Sequence, residues 1–170
     1  MSKSIESIME AVDSSRCVGI EISNKSMHYV LTEPVTYSYS GRLQSPPPPT
    51  INRGEKGVCV FVKTPYTACG TVGVLSYKFD NTQMSLLVSN PYDYSKYSIE
   101  YALYVPDRPM PTDNDLYNKM YDQLTESSSF SKASLGKGNP SLNIRKGNIF
   151  LSATMSNEKK AILKIDIGDN

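Results

Sequence analysis

Residues 88–101 read Val-Ser-Asn-Pro-Tyr-Asp-Tyr-Ser-Lys-Tyr-Ser-Ile-Glu-Tyr, and they place four tyrosines around one Pro-Tyr-Asp turn. An apolar run at 84–88 leads into this stretch, and an alternating run at 97–105 leads away from it. The pattern predicts two strands joined by a tyrosine-rich loop at one edge of a sheet. Such loops often carry binding residues, and tyrosine combines an apolar ring face with a hydroxyl group. Taken alone, the stretch also fits a solvated turn between ordinary strands.

Further strand-like segments extend on both sides of this loop. They are rich in β-branched and aromatic residues and lie at residues 17–22, 28–40, 57–64, 69–79, 141–145, 148–155 and 160–167. Pro34 interrupts one segment, which indicates an edge strand or a bulge. The run Ser-Pro-Pro-Pro-Pro-Thr at 45–50 must be extended. Because strand patterns flank this run, it indicates a crossover within the fold.

A short amphipathic helix is predicted at residues 1–15. Its apolar residues recur at i, i+3, i+4 and i+7, the spacing of one helix face: Ile5, Ile8, Met9 and Val12. Ser2 or Ser4 can cap the start of this helix. Roughly ten helical residues span only ~15 Å, about half of a bilayer's hydrocarbon core. Docking of this helix on a sheet is therefore the ordinary interpretation.

A second helix is predicted near residues 112–124, where polar residues at 112–115 supply caps and negative charge. Its apolar face consists of residues spaced four apart: Leu116, Met120 and Leu124. Tyr117 and Tyr121 also lie four apart, on an adjacent stripe. Two ring faces one helical turn apart could sandwich a cation, at ~0.5–2 kcal/mol per contact. They could equally pack on the sheet as core.

Length and pattern together predict the fold class. A chain of 170 residues is about one domain by length. We expect a mainly β protein, a β-sandwich of about ten strands flanked by two short α-helices. The N-terminal helix occupies residues 1–15, and a single sandwich domain with a helix near 112–124 occupies residues 16–170.

Composition excludes several classes of function. The formal net charge is +1 and charged residues make up 21% of the chain, which argues against a nucleic-acid partner. Three cysteines, Cys17, Cys59 and Cys69, lack metal-ligand spacing, and we expect buried thiols, a reducing compartment, no metal and no cofactor. His28 is the single histidine, expected to be exposed on a strand. Without a histidine-based pair or a paired acid, we expect no enzyme.

The N-terminus lacks the apolar segment of a signal peptide. No window approaches the ~20 apolar residues that a spanning helix needs. We therefore expect a protein that is soluble in the cytoplasm or secreted by a non-conventional route.

Several segments together resemble the actinoporins, the sea-anemone sphingomyelin-binding cytolysins, and more closely the actinoporin-like proteins of fish. The loop motif Pro-Tyr-Asp-Tyr follows Val-Gly-Val-Leu and precedes a Tyr-x-x-x-Tyr helix, a fairly specific combination. The matching segments are residues 18–21, 40–41, 45–51, 68–77, 86–94, 97–98 and 116–121. This resemblance implies the same β-sandwich flanked by helices.

In that family a phosphocholine headgroup occupies a shallow pocket of tyrosines, a valine, serines and a proline. Position by position, the resemblance implies a headgroup site of Ser40, Val72, Ser89, Pro91, Tyr97, Tyr117 and Tyr121. A quaternary ammonium cannot donate hydrogen bonds and is recognised by aromatic faces, whereas a phosphate needs hydroxyl donors. The same resemblance implies membrane contacts at Tyr92, Tyr94 and Lys96, and an inserting helix that carries Ile5, Ile8, Met9 and Val12.

The chain departs from the family pattern at five places. Lys96 and Glu100 occupy positions where family members carry tryptophans that enter the membrane interface. Asp122 replaces a third helix tyrosine, which removes one wall of the pocket and adds a negative charge. Residues 107–109 lack the family's Arg-Gly-Asp segment, and the region that lines the pore is about half as long.

The resemblance implies a membrane-binding protein of the pore-forming class, a toxin or cytolysin that supports ion transport across membranes. Its partner would be a membrane containing phosphocholine lipids, sphingomyelin or phosphatidylcholine, on which it could assemble as a homo-oligomer. It would be membrane-associated when active. The alternative is a non-lytic, lectin-like or protein-binding module on the same fold, since the fold also resembles fungal fruiting-body lectins.

Overall fold

In the computed structural model, which describes residues 3–137 and 140–170, the chain forms a sandwich of two six-stranded sheets. The strands are β1 (Cys17–Asn24), β2 (Leu31–Ser40), β3 (Arg42–Ser45), β4 (Thr50–Ile51), β5 (Lys56–Val62), β6 (Thr71–Phe79), β7 (Thr82–Asn90), β8 (Glu100–Tyr104), β9 (Phe130–Ser134), β10 (Leu142–Lys146), β11 (Ile149–Met155) and β12 (Lys160–Asp169). Helices α1 (Ile5–Glu10) and α2 (Asn114–Asn118) flank the sheets. The predicted fold class is confirmed.

The two sheets differ in their strand order. The first sheet runs β10-β11-β12-β1-β5-β3, and the second runs β4-β2-β6-β7-β8-β9. Strands β1 and β12 pair in parallel, which joins the two ends of the chain in the middle of the first sheet. The tyrosine-rich stretch connects β7 to β8 in the second sheet, where the two strands pair antiparallel.

Alternate residues of both sheets meet in a central core, as the strand period of two requires. Two large rings lie in this core and satisfy their hydroxyls with backbone carbonyls: Tyr77 donates to Pro48 O at 2.6 Å, and Tyr101 donates to Pro140 O at 2.8 Å. Burial raises the pKa of Tyr101 to about 12. The Pro48 contact ties the proline-rich run to the core, in keeping with its predicted role as a crossover.

Helix α1 is docked on the outer face of the first sheet. Ile5 and Met9 are buried, and Ser4 caps the helix by accepting a hydrogen bond from Ser7 N at 3.1 Å. Gly19 of β1 provides the seat, because a Cβ at that position would lie 2.5 Å from Met9 Sδ. Lys160 Nζ donates to Val12 O at 2.7 Å and holds the end of the segment.

Helix α1 is shorter than predicted. It comprises six residues rather than about ten, and residues 11–16 form a turn and irregular chain before β1. Of the two capping candidates, Ser4 is the cap and Ser2 lies outside the described residues. The predicted apolar stripe is docked, since Ile5, Met9 and Val12 are buried and Ile8 packs beside them partly exposed.

The second helix also differs from a simple α-helix. Asp113 caps α2 by accepting from Leu116 N at 3.1 Å, and the chain continues as a π-helix over Lys119–Gln123. Leu116 and Met120 are buried against the outer face of the second sheet. The predicted range of 112–124 is therefore helical from 114 to 123, with a wider turn at its C-terminal half.

Strand β9 was not predicted. Its sequence Phe-Ser-Lys-Ala-Ser contains one large apolar residue, so the apolar alternation is weak. The segment forms an edge strand because β8 offers a free edge, against which Tyr101 faces Ala133. A second difference concerns residues 97–99, which belong to the loop, because β8 begins at Glu100. The expectation at Pro34 is confirmed, since β2 shifts register against β6 between Thr32 and Val35.

The expectations for cysteine and histidine need correction. Cys17 and Cys59 are buried, but Cys69 is exposed because it lies in the irregular chain between β5 and β6. His28 is exposed as expected but lies in the connection from β1 to β2, with Nδ1 3.1 Å from Asp169 Oδ1. No helix of the described residues is both long and apolar enough to cross a membrane.

The docking of α1 predicts unequal costs for two truncations on the same helix. Replacing Ile5 by Ala should lower the free energy of unfolding by about 2–4 kcal/mol, because Ile5 is fully buried beneath the helix. Ile8→Ala, a half-exposed position, should cost less than about 1 kcal/mol. Urea unfolding monitored by circular dichroism measures both, and equal losses would contradict the docking.

The burial of the cysteines predicts their reactivity. Burial raises the pKa of the Cys17 thiol to about 11 and that of the Cys59 thiol to about 12, so both stay protonated at pH 8. Titration with a thiol-reactive chromophore should therefore modify one cysteine rapidly in the folded protein and three after unfolding. The Cys69→Ser variant should lose the rapid phase; a rapid phase that persists in it would contradict the assignment.

Candidate functional site

A cavity of about 840 Å³ opens at the end of the sandwich where β1 and β6 begin and where β2 and β7 end. The loop between β7 and β8, residues 91–99, is called the tyrosine loop and forms one wall. The helical segment, residues 114–123, forms another wall. Pockets of this size and mixed polarity are typical of small-molecule sites.

All seven residues that the sequence analysis assigns to a headgroup site line this cavity. They come from three strands, the tyrosine loop and the helical segment: Ser40, Val72, Ser89, Pro91, Tyr97, Tyr117 and Tyr121. The three residues assigned to membrane contact, Tyr92, Tyr94 and Lys96, also line it and are exposed. The four residues assigned to the inserting helix lie apart from it, in or just after α1 on the first sheet.

Three tyrosines form a stacked column along the cavity wall. Tyr39 stacks on Tyr117 with ring centroids 4.4 Å apart, and Tyr117 stacks on Tyr121 at 5.5 Å. The idea of a cation sandwiched between Tyr117 and Tyr121 is therefore wrong, because the two rings contact each other. The face open to a ligand belongs to Tyr39, whose side chain is 58% exposed.

The column depends on the helical segment and on β2. Tyr117 and Tyr121 stand four residues apart across the junction of α2 with the π-helix, and the wider π-turn keeps their rings on one face. Tyr37 and Tyr39 lie on the same face of β2, and Tyr37 donates to Asn114 Oδ1 at 2.9 Å. Burial raises the pKa of Tyr117, and its neighbours Tyr121 and Tyr39 add to the effect, so this ring stays neutral near pH 7.

An ion pair closes the inner end of the column. Lys132 of β9 places its ammonium 4.6 Å from the ring centroid of Tyr121 and donates to the Tyr121 carbonyl. The same ammonium lies 3.7 Å from the Glu100 carboxylate, which lines the cavity. Glu100, at a position where family members carry a membrane-facing tryptophan, is therefore paired with Lys132. Asp122, which stands where the family carries a third helix tyrosine, is exposed.

Arg16, immediately before β1, clamps the tyrosine loop. Its Nε donates to Pro91 O at 3.1 Å, and one terminal nitrogen donates to Tyr92 O at 2.8 Å. The guanidinium carbon lies 4.5 Å from the Tyr94 ring centroid and 5.2 Å from that of Tyr92. This geometry combines charge-assisted hydrogen bonds with cation–π contacts, so Arg16 fixes the loop and brings a positive charge to the cavity.

Asn90 anchors the same loop from within. Its buried Nδ2 donates to Cys17 O at 3.1 Å and to Lys159 O at 2.8 Å, and its Oδ1 accepts the Tyr94 hydroxyl at 2.7 Å. Burial raises the pKa of Tyr94, which remains a hydroxyl donor. Tyr94 thus stabilises the loop through its hydroxyl group, although its side chain is 41% exposed.

The turn of the loop is held by Asp93. Its carboxylate accepts from Ser95 N at 2.9 Å and from Ser95 Oγ at 2.6 Å, and these bonds lower the pKa of the carboxyl group. Its carbonyl accepts from Lys96 N and Tyr97 N. Tyr97 is lifted out of the strand by this turn and is 59% exposed at the mouth of the cavity.

Sequence reasoning missed Arg16, Tyr39 and Lys132. The Tyr-Ser-Tyr alternation that ends next to Ser40 was a usable signal for Tyr39, because alternate strand residues share a face. Arg16 and Lys132 act through distant backbone carbonyls, which no local pattern encodes. Among residues 3–137 and 140–170, no group of three His, Cys, Asp or Glu side chains is placed to hold a metal ion.

Fold and cavity together define a class: a β-sandwich with a helix on each sheet and a tyrosine-lined cavity at one end. The family model described as sea anemone cytotoxic protein matches residues 3–168. The chain belongs to this family, and the resemblance to actinoporins is confirmed. The family is one of membrane-acting toxins, not of enzymes.

One curated relative is similar to part of this chain, and two solved structures share its fold. Hydra actinoporin-like toxin 6 from Hydra vulgaris is 37% identical over 62 residues, which is 36% of this chain and 33% of that protein. The matched region therefore spans about a third of that relative. The crystal structure of the lipid-binding protein Nakanori superposes with a TM-score of 0.71 at 16% identity, over 95% of this chain and 75% of that one. The crystal structure of the RahU protein in complex with TRIS gives a TM-score of 0.50 at 9% identity, over 93% of this chain and 98% of that one.

The clamp predicts that Arg16 controls the order of the tyrosine loop. Arg16→Lys keeps the charge but lacks the forked guanidinium, so hydrogen exchange of amides 92–97 should accelerate about tenfold. Arg145→Lys is the control, because Arg145 stacks on Phe150 at 4.1 Å and does not line the cavity. Mass spectrometry after exchange measures both variants; equal protection in wild type and Arg16→Lys would refute the clamp.

Proposed function

We propose that the protein binds phosphocholine headgroups of membrane lipids in the tyrosine-lined cavity, as the first step of a membrane-directed activity. The observation that carries this proposal is the convergence of seven positions, scattered between residues 40 and 121, on one cavity of about 840 Å³. Membership in a family of membrane-acting toxins supports the choice of ligand.

The charges of the cavity favour one orientation of a zwitterion. The quaternary ammonium would lie against the exposed rings of Tyr39 and Tyr97. The phosphate would lie toward Arg16 and the hydroxyl of Ser89. Within the described residues Arg16 uses three of its five N–H donors on the carbonyls of Ser15, Pro91 and Tyr92, which leaves donors for an anion.

For the later steps, α1 is the proposed inserting element, with homo-oligomers forming on the membrane. Its attachment is local: the apolar stripe on the first sheet, the Lys160 contact, and an ion pair between Glu6 and Lys164 at 2.5 Å on the surface. Exposed ion pairs contribute little to stability. The main free energy that must be overcome to release α1 is therefore the burial of Ile5, Met9 and Val12.

The length of α1 favours a second candidate, a non-lytic binding module on the same fold. Six helical residues span about 9 Å, roughly a third of the ~30 Å hydrocarbon core. A protein that binds headgroups through the cavity without opening the membrane fits this geometry. A cavity lined by aromatic rings also accepts sugars, so a glycan is the competing ligand.

Sedimentation with sphingomyelin/phosphatidylcholine vesicles tests the headgroup site. The single variants Tyr39→Ala and Tyr97→Ala should each weaken binding about tenfold, because each removes an exposed ring face from the cavity. Free phosphocholine should compete with the vesicles. Met27→Ala is the matched control, since Met27 is 70% exposed but lies beyond the far end of β1.

Vesicle binding that neither variant weakens and phosphocholine does not compete would refute the proposed site. Binding to a glycan array with no binding to vesicles would select the lectin-like alternative. Release of an encapsulated dye on binding would support pore formation, and binding without dye release would support the non-lytic module.

A further inference from the structure

Tyr66 stands alone at the tip of the connection between β5 and β6. Its side chain is fully exposed, the most exposed of the large apolar side chains among the described residues. Its backbone φ is +62°, in the left-handed region that disfavours residues other than glycine. The fold thus carries a large ring in water on an unfavourable backbone, and neither feature contributes to the core.

The loop that presents Tyr66 is held by its own hydrogen bonds. Thr67 Oγ1 donates to Thr64 O at 2.7 Å, and Lys63 Nζ donates to the same carbonyl at 3.0 Å. The Lys63 ammonium also lies 5.6 Å from the ring centroid of Tyr92. These contacts fix the loop beside the tyrosine loop, so the exposure of Tyr66 belongs to an ordered conformation.

Tyr66 lies close to the cavity without lining it. The nearby residues Ala68, Cys69 and Gly70 form part of the cavity wall, to which Tyr97 of the other loop also belongs. Gly70 contacts the backbone of the tyrosine loop so closely that a Cβ there would collide with Asn90 O and Pro91. The two loops therefore form adjacent parts of one rim.

We propose that Tyr66 is a second membrane anchor, which enters the lipid interface when the cavity holds a headgroup. The inference rests on the proposed function, because the cavity determines which end of the molecule faces the membrane. Tyrosine rings are enriched at the membrane–water interface, and the exposed ammonium of Lys96 on the tyrosine loop suits the phosphates found there. Because the chain contains no tryptophan, Tyr66 would supply an aromatic ring at the depth of the membrane interface.

The absence of tryptophan from the sequence provides a direct test. The Tyr66→Trp variant carries a single indole fluorophore at the loop tip. On addition of sphingomyelin/phosphatidylcholine vesicles, its emission should shift to shorter wavelength and be quenched by brominated lipid. The Met27→Trp variant is the control, because position 27 is also exposed but lies beyond the far end of β1. Its emission should stay that of an indole in water.

A second variant separates the anchor from the cavity. Tyr66→Gly removes the ring and suits the left-handed backbone, so the melting temperature should be unchanged or higher. Affinity for vesicles should fall about fivefold, as expected for one ring partly removed from water. Affinity for free phosphocholine, measured by calorimetry, should stay that of the wild type.

The two hypotheses fail differently. If wild type binds vesicles and phosphocholine, but the emission of Tyr66→Trp stays unshifted and Tyr66→Gly binds vesicles like wild type, the anchor is refuted and the headgroup site stands. If the wild-type protein binds neither vesicles nor phosphocholine, the proposed function is refuted, and the anchor with it.

Discussion

The buried amide of Asn90 is the contact on which the cavity depends. Asn90 ends β7 in the second sheet, and its Nδ2 donates to carbonyls of Cys17 and Lys159, which begin the parallel pair of the first sheet. Sandwich sheets are otherwise joined by apolar packing, which is non-directional. A directional bridge from a buried amide fixes the distance between the sheets at this end, and unpairing it would leave the Asn90 amide unsatisfied at a cost of about 1–3 kcal/mol.

The tyrosine column follows from constraints on two separate elements. The helical segment at 114–123 must bury Leu116 and Met120 against the outer face of the second sheet, which sets the direction in which Tyr117 and Tyr121 project. Strand β2 must bury Leu31 in the core between the sheets, and the register shift between Thr32 and Val35 then turns Tyr37 and Tyr39 to the opposite face, beneath the helix. Each tyrosine is thus oriented by a neighbour that is buried for stability. The stacked rings of 117 and 121 are supports, and the exposed ring of Tyr39 completes the binding face.

Sequence reasoning captures most of the fold and part of the site, for identifiable reasons. Strands β6, β7 and β12 are predicted from the sequence because most of their residues are buried or alternate between buried and exposed, which gives strong apolar patterns. Strand β9 escapes because an edge strand with one large apolar residue is specified by its partner β8. The seven cavity residues belong to short motifs and can be assigned position by position. Arg16 and Lys132 act on carbonyls of Pro91 and Tyr121, contacts that only the folded chain creates.

The same bridge connects the tyrosine loop to the N-terminal helix. Asn90 binds the carbonyl of Lys159, and the next residue, Lys160, donates to the carbonyl of Val12 behind α1. Arg16 joins the two regions a second time, since it lies between α1 and β1 and grips Pro91. Short, directional contacts therefore connect the tyrosine loop with the two chain segments that flank α1. The helical segment itself is held mainly by the burial of Ile5, Met9 and Val12 on the first sheet.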